Sequence, residues 1–316
     1  MKKAIRFGCV TAAFVFLLAP VLGQENSDQM FVRYVTTWGE KGDKPVQFKE
    51  PQDLSVDPGG FLYVADTGNQ RIQKFDPNGR FITEIGGFGW NQGQFNSPVA
   101  VSSRNGMDVF VADMYNHRIE RYDKDLHYLA TLHSSEEWPE YLQFGFPKDV
   151  DLFTQGELFC LDSENHRMLK LDVLGNPQRS FGDFDAGDGR LIQPQKFVIS
   201  NQGNVYVSDS EYGRIVVFDI HGNYYFTFGE GILEVPSGIT VTSDEMILVA
   251  DGTQKRIFVF QKSGGFIGSF EGAREAGIHF EEPVDIAFWR DRVFVLDKKR
   301  SVIDVFQWIF AEENSD

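Results

Sequence analysis

One phrase is written six times along this chain, and it leaves few folds open. A hydrophobic run ends on an acid at Asp66, Asp113, Asp162, Asp209, Asp251 and Asp297. Five residues after the first five acids stands an arginine: Arg71, Arg118, Arg167, Arg214 and Arg256. Nine residues after each acid comes a large hydrophobe, at Phe75, Tyr122, Leu171, Phe218, Phe260 and Phe306. A proline opens every unit (Pro51, Pro98, Pro147, Pro194, Pro236 and Pro283), and three residues before it lies Phe48, Phe95, Phe144, Leu191, Leu233 or Phe280. The prolines recur every 42 to 49 residues. Self-similarity at this period marks an architecture that stacks one supersecondary unit many times.

Each unit reads as four short strands. After Pro51 come LSV, FLYVAD, RIQKF and RFITEIG. The alternation in VYVSD, ILVAD and VFVLD has the period of two that half-buried strands require. The third and fourth strands are joined by DPNG (76–79), and later by DVLG, DIHG and QKSG, whose glycines suit positive φ. The chain holds 14% aromatic residues and 31 glycines, as an all-β protein does. Four strands per unit at this spacing predict the blades of a propeller. The sixth unit stops at VIDVFQW (302–308) and lacks its fourth strand, while FVRYVTTWG (31–39) supplies a strand of the right type at the other end. The expected fold is therefore all-β. It is a six-bladed β-propeller with four antiparallel strands per blade, closed by the N-terminal strand (31–38) completing the last blade.

The phrases DTGNQRIQKF (66–75), DMYNHRIERY (113–122) and DSENHRMLKL (162–171) resemble NHL repeats, as does the linker IGGFGWNQGQFNSP (85–98). The resemblance runs through essentially all of residues 31–310. It implies a six-bladed propeller. It leaves function open, because propellers of this family include RNA-binding domains, extracellular sensors, protein-binding scaffolds and a zinc-dependent lyase acting on peptide hydroxyglycines.

Residues 1–23 read as a secretory signal. Lys2, Lys3 and Arg6 precede the apolar run Phe7 to Leu18, and Val21-Leu22-Gly23 offers a cleavage site near Gly23. A short linker (24–30), the propeller (31–310) and a C-terminal tail (311–316) follow. The expected location is secreted or periplasmic, with no membrane insertion after cleavage. Losing residues 1–23 removes three basic groups and no acid, which takes the net charge from −16 to −19. So acidic a chain lacks the basic face that nucleic acid needs. It suits cationic partners or metal ions. Cys160 is the one cysteine beyond the leader, so no intrachain disulfide braces the fold.

The repeated acid and arginine read as structural, since chemistry needs a group once and not five times. His117 and His166 sit inside the repeated loop and pack it, and with His133 they form the one histidine set that a zinc ion could use. The histidine that the family's lyase carries after the repeat proline is missing here: Gln52, Val99, Lys148, Gln195, Ser237 and Val284 stand there. Cys160 replaces the small residues Ala65, Ala112, Ser208 and Ala250 of other blades, as a buried residue would. The acidic linker GDFDAGDG (182–189) misses the spacing of a calcium loop.

Function in a repeat fold sits where the copies differ. Two regions do. Asp53, Asp149, Asp151, Lys196 and Asp285 fall on innermost strands, where alternation turns them to the central channel. They predict either a site for a cation or small polar ligand, or a water-filled channel whose acids cap amides. Trp90, Tyr115, Trp138 and Tyr141 fall on the linkers and loops of one face, with Trp138 either binding a ligand or plugging a gap between blades. The expected function is a non-catalytic binding propeller that takes a protein, peptide or small molecule through this face and the channel mouth. The alternative is a metal-dependent lyase or lactonase with its site at the channel mouth. No cofactor is expected; the acidic channel leaves room for a divalent cation alone.

Overall fold

A computed structural model of the chain describes residues 31–309 apart from 154, 155 and 173; the expected leader (1–23), linker (24–30) and tail (311–316) lie outside the described residues. Among the described residues, the long strands form six separate antiparallel sheets of four strands each. The first blade shows the rule. Its strands are Asp53–Val56, Leu62–Asp66, Arg71–Phe75 and Phe81–Gly86, in sheet order. The second and third strands are buried at every residue, because neighbouring blades cover both their faces. The fourth alternates between half-buried and exposed, as an outer edge with one wet face should.

Closure occurs as expected. Val32–Trp38 pairs antiparallel with Val302–Trp308, from Val32↔Trp308 to Trp38↔Ile303, and becomes the fourth strand of the sixth sheet. Phe31 is buried and stacks on Trp308 at 6.3 Å. The ring of blades thus has no seam with an unpaired inner strand.

Two sequence signals set blade against blade. The hydrophobes three residues before each proline, Phe48, Phe95, Phe144, Leu191, Leu233 and Phe280, are all buried. In four blades the third-to-fourth turn carries a glycine that lies against the previous blade. At Gly79, φ is +81° and a Cβ would sit 2.4 Å from the Trp38 ring. Gly175, Gly222 and Gly264 meet Leu132, Phe181 and Phe228 in the same way. In these four turns glycine serves twice, for the left-handed backbone and for the close approach, whereas the second blade places the buried Leu126 there at φ +65°.

A bulge prepares the inner strand for its task. In the third blade the register passes from Pro147↔Asp162 to Asp149↔Leu161, skipping one residue. The second and sixth blades do the same after Pro98 and Pro283. The extra residue re-aims the side chain two places after the proline toward the axis. No helix among the described residues is long and apolar enough to cross a membrane.

Candidate functional site

The repeated acid and arginine hold the linkers down. Asp66 is fully buried, accepts Arg71 Nε at 2.8 Å and accepts the Lys49 amide at 2.7 Å. Arg71 then donates to the carbonyls of Asp43, Lys44 and Gln47, all on the linker entering the blade. Asp113–Arg118, Asp162–Arg167 and Asp209–Arg214 repeat the ion pair. The fifth copy departs from the expected pattern. Arg256 turns to Ser269 and Glu271, and Asp251 takes the Gln254 side chain and nearby amides. The sixth blade, degenerate at Val302, brings Arg300 to Asp304 at 2.5 Å instead.

The loop histidines have a backbone reason. The position before each repeat arginine, and before Val302 in the sixth blade, is left-handed, with φ between 50° and 57° at Gln70, His117, His166, Gly213, Lys255 and Ser301. Histidine tolerates that region better than most residues do. His117 also bonds the Gly145 carbonyl at 2.8 Å and packs on Phe146. Among the described residues, no three His, Cys, Asp or Glu side chains stand together so as to hold a metal. That covers both the His117, His133 and His166 set and the channel acids. Cys160 is fully buried, and burial pushes its thiol well above the ordinary range.

The channel residues do converge. Asp53, Asp149, Lys196 and Asp285 meet at the closed end of a central cavity of about 390 Å³. Each acid caps the next blade: Asp53 accepts the Val101 amide, Asp149 the Phe197 amide at 2.8 Å, and Asp285 the Leu54 amide at 2.8 Å. Lys196 is paired with Asp53. Asp151 also lines the cavity, nearer its mouth, where it is taken up by Ser102 at 2.7 Å and Arg104 at 2.9 Å. Ser55, Thr240 and the apolar Val198 and Ala287 make the middle of the wall. The cavity opens among first-to-second-strand turns, where Arg104, Asn201, Glu245 and Arg290 form its rim.

Burial and crowding in the floor shift the protons of Asp149, Asp285 and Lys196. Burial, reinforced by the Asp53 charge and opposed by Lys196, pushes Asp149 up to about 7. The same burial and the same Asp53 neighbour hold Asp285 well above the carboxylate range. Burial works against the Lys196 ammonium, but Asp53, Asp285 and Asp149 outweigh it and tighten its hold on the proton. Lys148, behind the floor, is brought down to about 8 by burial and by Lys196. An aspartate in an unfolded chain ionises near 3.9. Between that value and about 7 the folded chain holds the proton on Asp149 that the unfolded chain releases. The stability from this proton is therefore full below about pH 4 and is lost as the pH rises to about 7. Asp149→Asn cannot ionise, so relative to wild type it should gain about 4 kcal/mol across that window and then level off. Urea denaturation at several pH values reads this, and a difference independent of pH would refute it.

The aromatic residues lie at the other end of the strands. Antiparallel strands put blade linkers and second-to-third loops on one face and first-to-second turns on the opposite face. Trp90, Tyr115, Trp138 and Tyr141 are on the linker face, and the channel mouth is on the turn face. The two regions singled out in the sequence, channel and loop face, therefore lie at opposite ends of the strands. Trp138 packs in part on the hydrophobic core between blades two and three, which supports its plugging role. Trp90, Tyr115 and Tyr141 are 67%, 55% and 59% exposed.

Two further aromatics, unnoticed in the sequence, complete this face. Phe88 meets Trp90 edge to face at 5.3 Å, and Phe146 meets Tyr115 at 6.2 Å. Asn116 bonds the Gly89 carbonyl at 2.9 Å and so joins the two pairs across adjacent blades. The signal for Phe88 was its place one residue past the glycines in the same linker as Trp90. Around the strip, Glu136, Glu137, Glu140 and Glu164 are exposed. None of the four is in an ion pair among the described residues.

The family model described as the NHL repeat matches residues 48–75, from the first linker hydrophobe to the end of the third strand. Protein brain tumor of Drosophila melanogaster is 28% identical over 130 residues, which are 40% of this chain and 12% of that protein. The chain thus spans a small part of the length of that curated relative. Virginiamycin B lyase from Staphylococcus aureus, as its selenomethionine form, has the same fold at a TM-score of 0.60 and 14% identity, over 81% of this chain and 80% of that one. A chain of the nidogen/laminin complex gives 0.58 at 15% identity, over 73% of this chain and 83% of that one. At these identities the structural likeness is one of fold. With the repeated phrase, the six four-stranded blades and the matched repeat together, the chain is a six-bladed β-propeller that carries an NHL repeat at residues 48–75.

Proposed function

We propose that this propeller is an exported binding protein whose linker face takes a protein or peptide segment carrying apolar anchors and basic residues. The strip Phe88, Trp90, Tyr115 and Phe146, with Tyr141 beside it, is the observation that carries this reading. Aromatic rings exposed in one patch mark interaction surfaces, and they dominate binding energy where they are buried on contact. The four unpaired glutamates at its border favour a cationic partner and speed its approach. The buried aspartate–arginine pairs hold the linker rigid, so little order must be bought on binding. The nidogen/laminin complex contains a chain of this fold, which agrees with a protein partner. Export rests on the leader-like residues 1–23, and N-terminal sequencing of the secreted chain should begin at Gln24.

Selection from a displayed peptide library should enrich segments with Lys or Arg beside aromatic or aliphatic residues. Trp90→Ala and Tyr115→Ala should each weaken the selected peptides by about tenfold or more. Both side chains are more than half exposed, so thermal stability should not change. Acidic winners, or a double variant that binds normally, would defeat the reading.

A further inference from the structure

The channel cavity on the turn face is independent of the aromatic strip, and its charges are not balanced end to end. At the floor, Lys196 is spent on Asp53. Asp149 and Asp285 line the cavity, and neither has a cation within ion-pair distance among the described residues. At the rim the surplus has the opposite sign. Arg104 is matched by Asp151 at 2.9 Å, and Glu245 is matched by Lys262 at 2.9 Å. Arg290 has no carboxylate partner among the described residues, and its guanidinium lies 4.4 Å over the Trp289 ring. That ring is held in turn by its Nε1 donating to the Pro58 carbonyl at 3.2 Å.

The wall between floor and rim has one polar group to spare. Thr240 lines the cavity and is only 8% exposed, and its hydroxyl bonds nothing among the described residues. A hydroxyl so placed is satisfied by a ligand or by water. The cavity holds about 390 Å³, within the range of sites for small molecules.

We propose that this cavity binds a small extended zwitterion, such as a short peptide with free ends, its ammonium on the floor carboxyls of Asp149 and Asp285 and its carboxylate on Arg290. A simple amine would leave Arg290 unmatched, and a simple anion would find no cation free at the floor; an ammonium seated there displaces the protons that burial holds on Asp149 and Asp285. Asp285 and Arg290 are five places apart on the sixth inner strand and its turn, a separation of about 16 Å between α-carbons. An extended tripeptide spans roughly 10 Å, and the Arg290 side chain bridges the rest. Amide groups along the ligand would give Thr240 its partner.

The test uses triglycine, N-acetyltriglycine, which lacks the ammonium, and triglycinamide, which lacks the carboxylate. Each is titrated into the full chain at neutral pH and followed by calorimetry and by chemical-shift changes. Triglycine should bind saturably and at least about fivefold more tightly than either capped form. Arg290→Gln should erase its advantage over triglycinamide while leaving the melting temperature alone, since the side chain is exposed. Asp149→Asn should erase its advantage over N-acetyltriglycine, and Thr240→Val should weaken all three. Three equal affinities, wild-type binding by the Arg290 variant, or no saturable binding of triglycine up to tens of millimolar would each overturn the proposal.

Discussion

Replacing Asp66 by alanine should cost about 3 kcal/mol of stability, because it takes from the Arg71 guanidinium its one fully buried counter-charge. Asp66 is wholly inaccessible, and Arg71 is almost so. The substitution also strips the Lys49 amide and the Asn69 side chain of their acceptor. Arg71 would keep three linker carbonyls, which bear only partial charge, and the Glu84 carboxylate at 3.0 Å, which is more than a third exposed and screened by solvent. Arg256→Ala in the fifth blade is the contrasting case. Its partner is Glu271 at 3.1 Å, both side chains are about a quarter exposed, and solvent screens the pair. Its loss should cost about 1 kcal/mol or less. Urea midpoints of the two variants decide the matter, and equal shifts would show that the aspartate–arginine pairs do not lock the linkers.

Deleting residues 31–38 should have the larger consequence for solubility. Val302–Trp308 is buried at six of its seven positions and pairs with the N-terminal strand along its length. Without that strand it becomes an exposed hydrophobic edge, which templates pairing with other chains. The buried surface of Phe31 and Val32 is lost as well. The shortened chain should elute as aggregate on size exclusion and lose its cooperative melt. A synthetic peptide of residues 31–39 should restore part of the monomer. A monomeric, cooperatively melting deletion would mean that closure at the sixth blade is dispensable.

The fold was legible because its determinants are local and repeated. Strand alternation, the turn glycine that cannot carry a Cβ against Trp38, and the linker hydrophobe that must be buried all act within about one blade of sequence. Repetition then averaged away the exceptions, so six units could be counted although the last is degenerate. The same averaging misled at the fifth blade. Arg256 keeps its place in the phrase, yet Glu271 and Ser269, fifteen and thirteen residues on, draw it away from Asp251. The strip on the linker face was half visible, through Trp90 and Tyr115. Phe146 looked like one more apolar linker residue until the loop of the second blade laid Tyr115 and His117 against it.

The sequence by itself determined the blade, its number, the closing strand and the structural work of the repeated charges, since each follows from hydrogen bonding and burial along neighbouring stretches of chain. Only the tertiary structure decided which charges meet. Lys196 finds Asp53 across 143 residues, Asp285 reaches Leu54 across 231, and Asp151 is claimed by an arginine of the preceding blade. It also decided that the channel opens away from the aromatic strip, and that Arg290 and Thr240 are left with groups to offer. Ring closure is the physical reason: it brings side chains from six distant strands within a few ångströms, and the energy of a buried charge depends on those neighbours and hardly at all on its own place in the repeat.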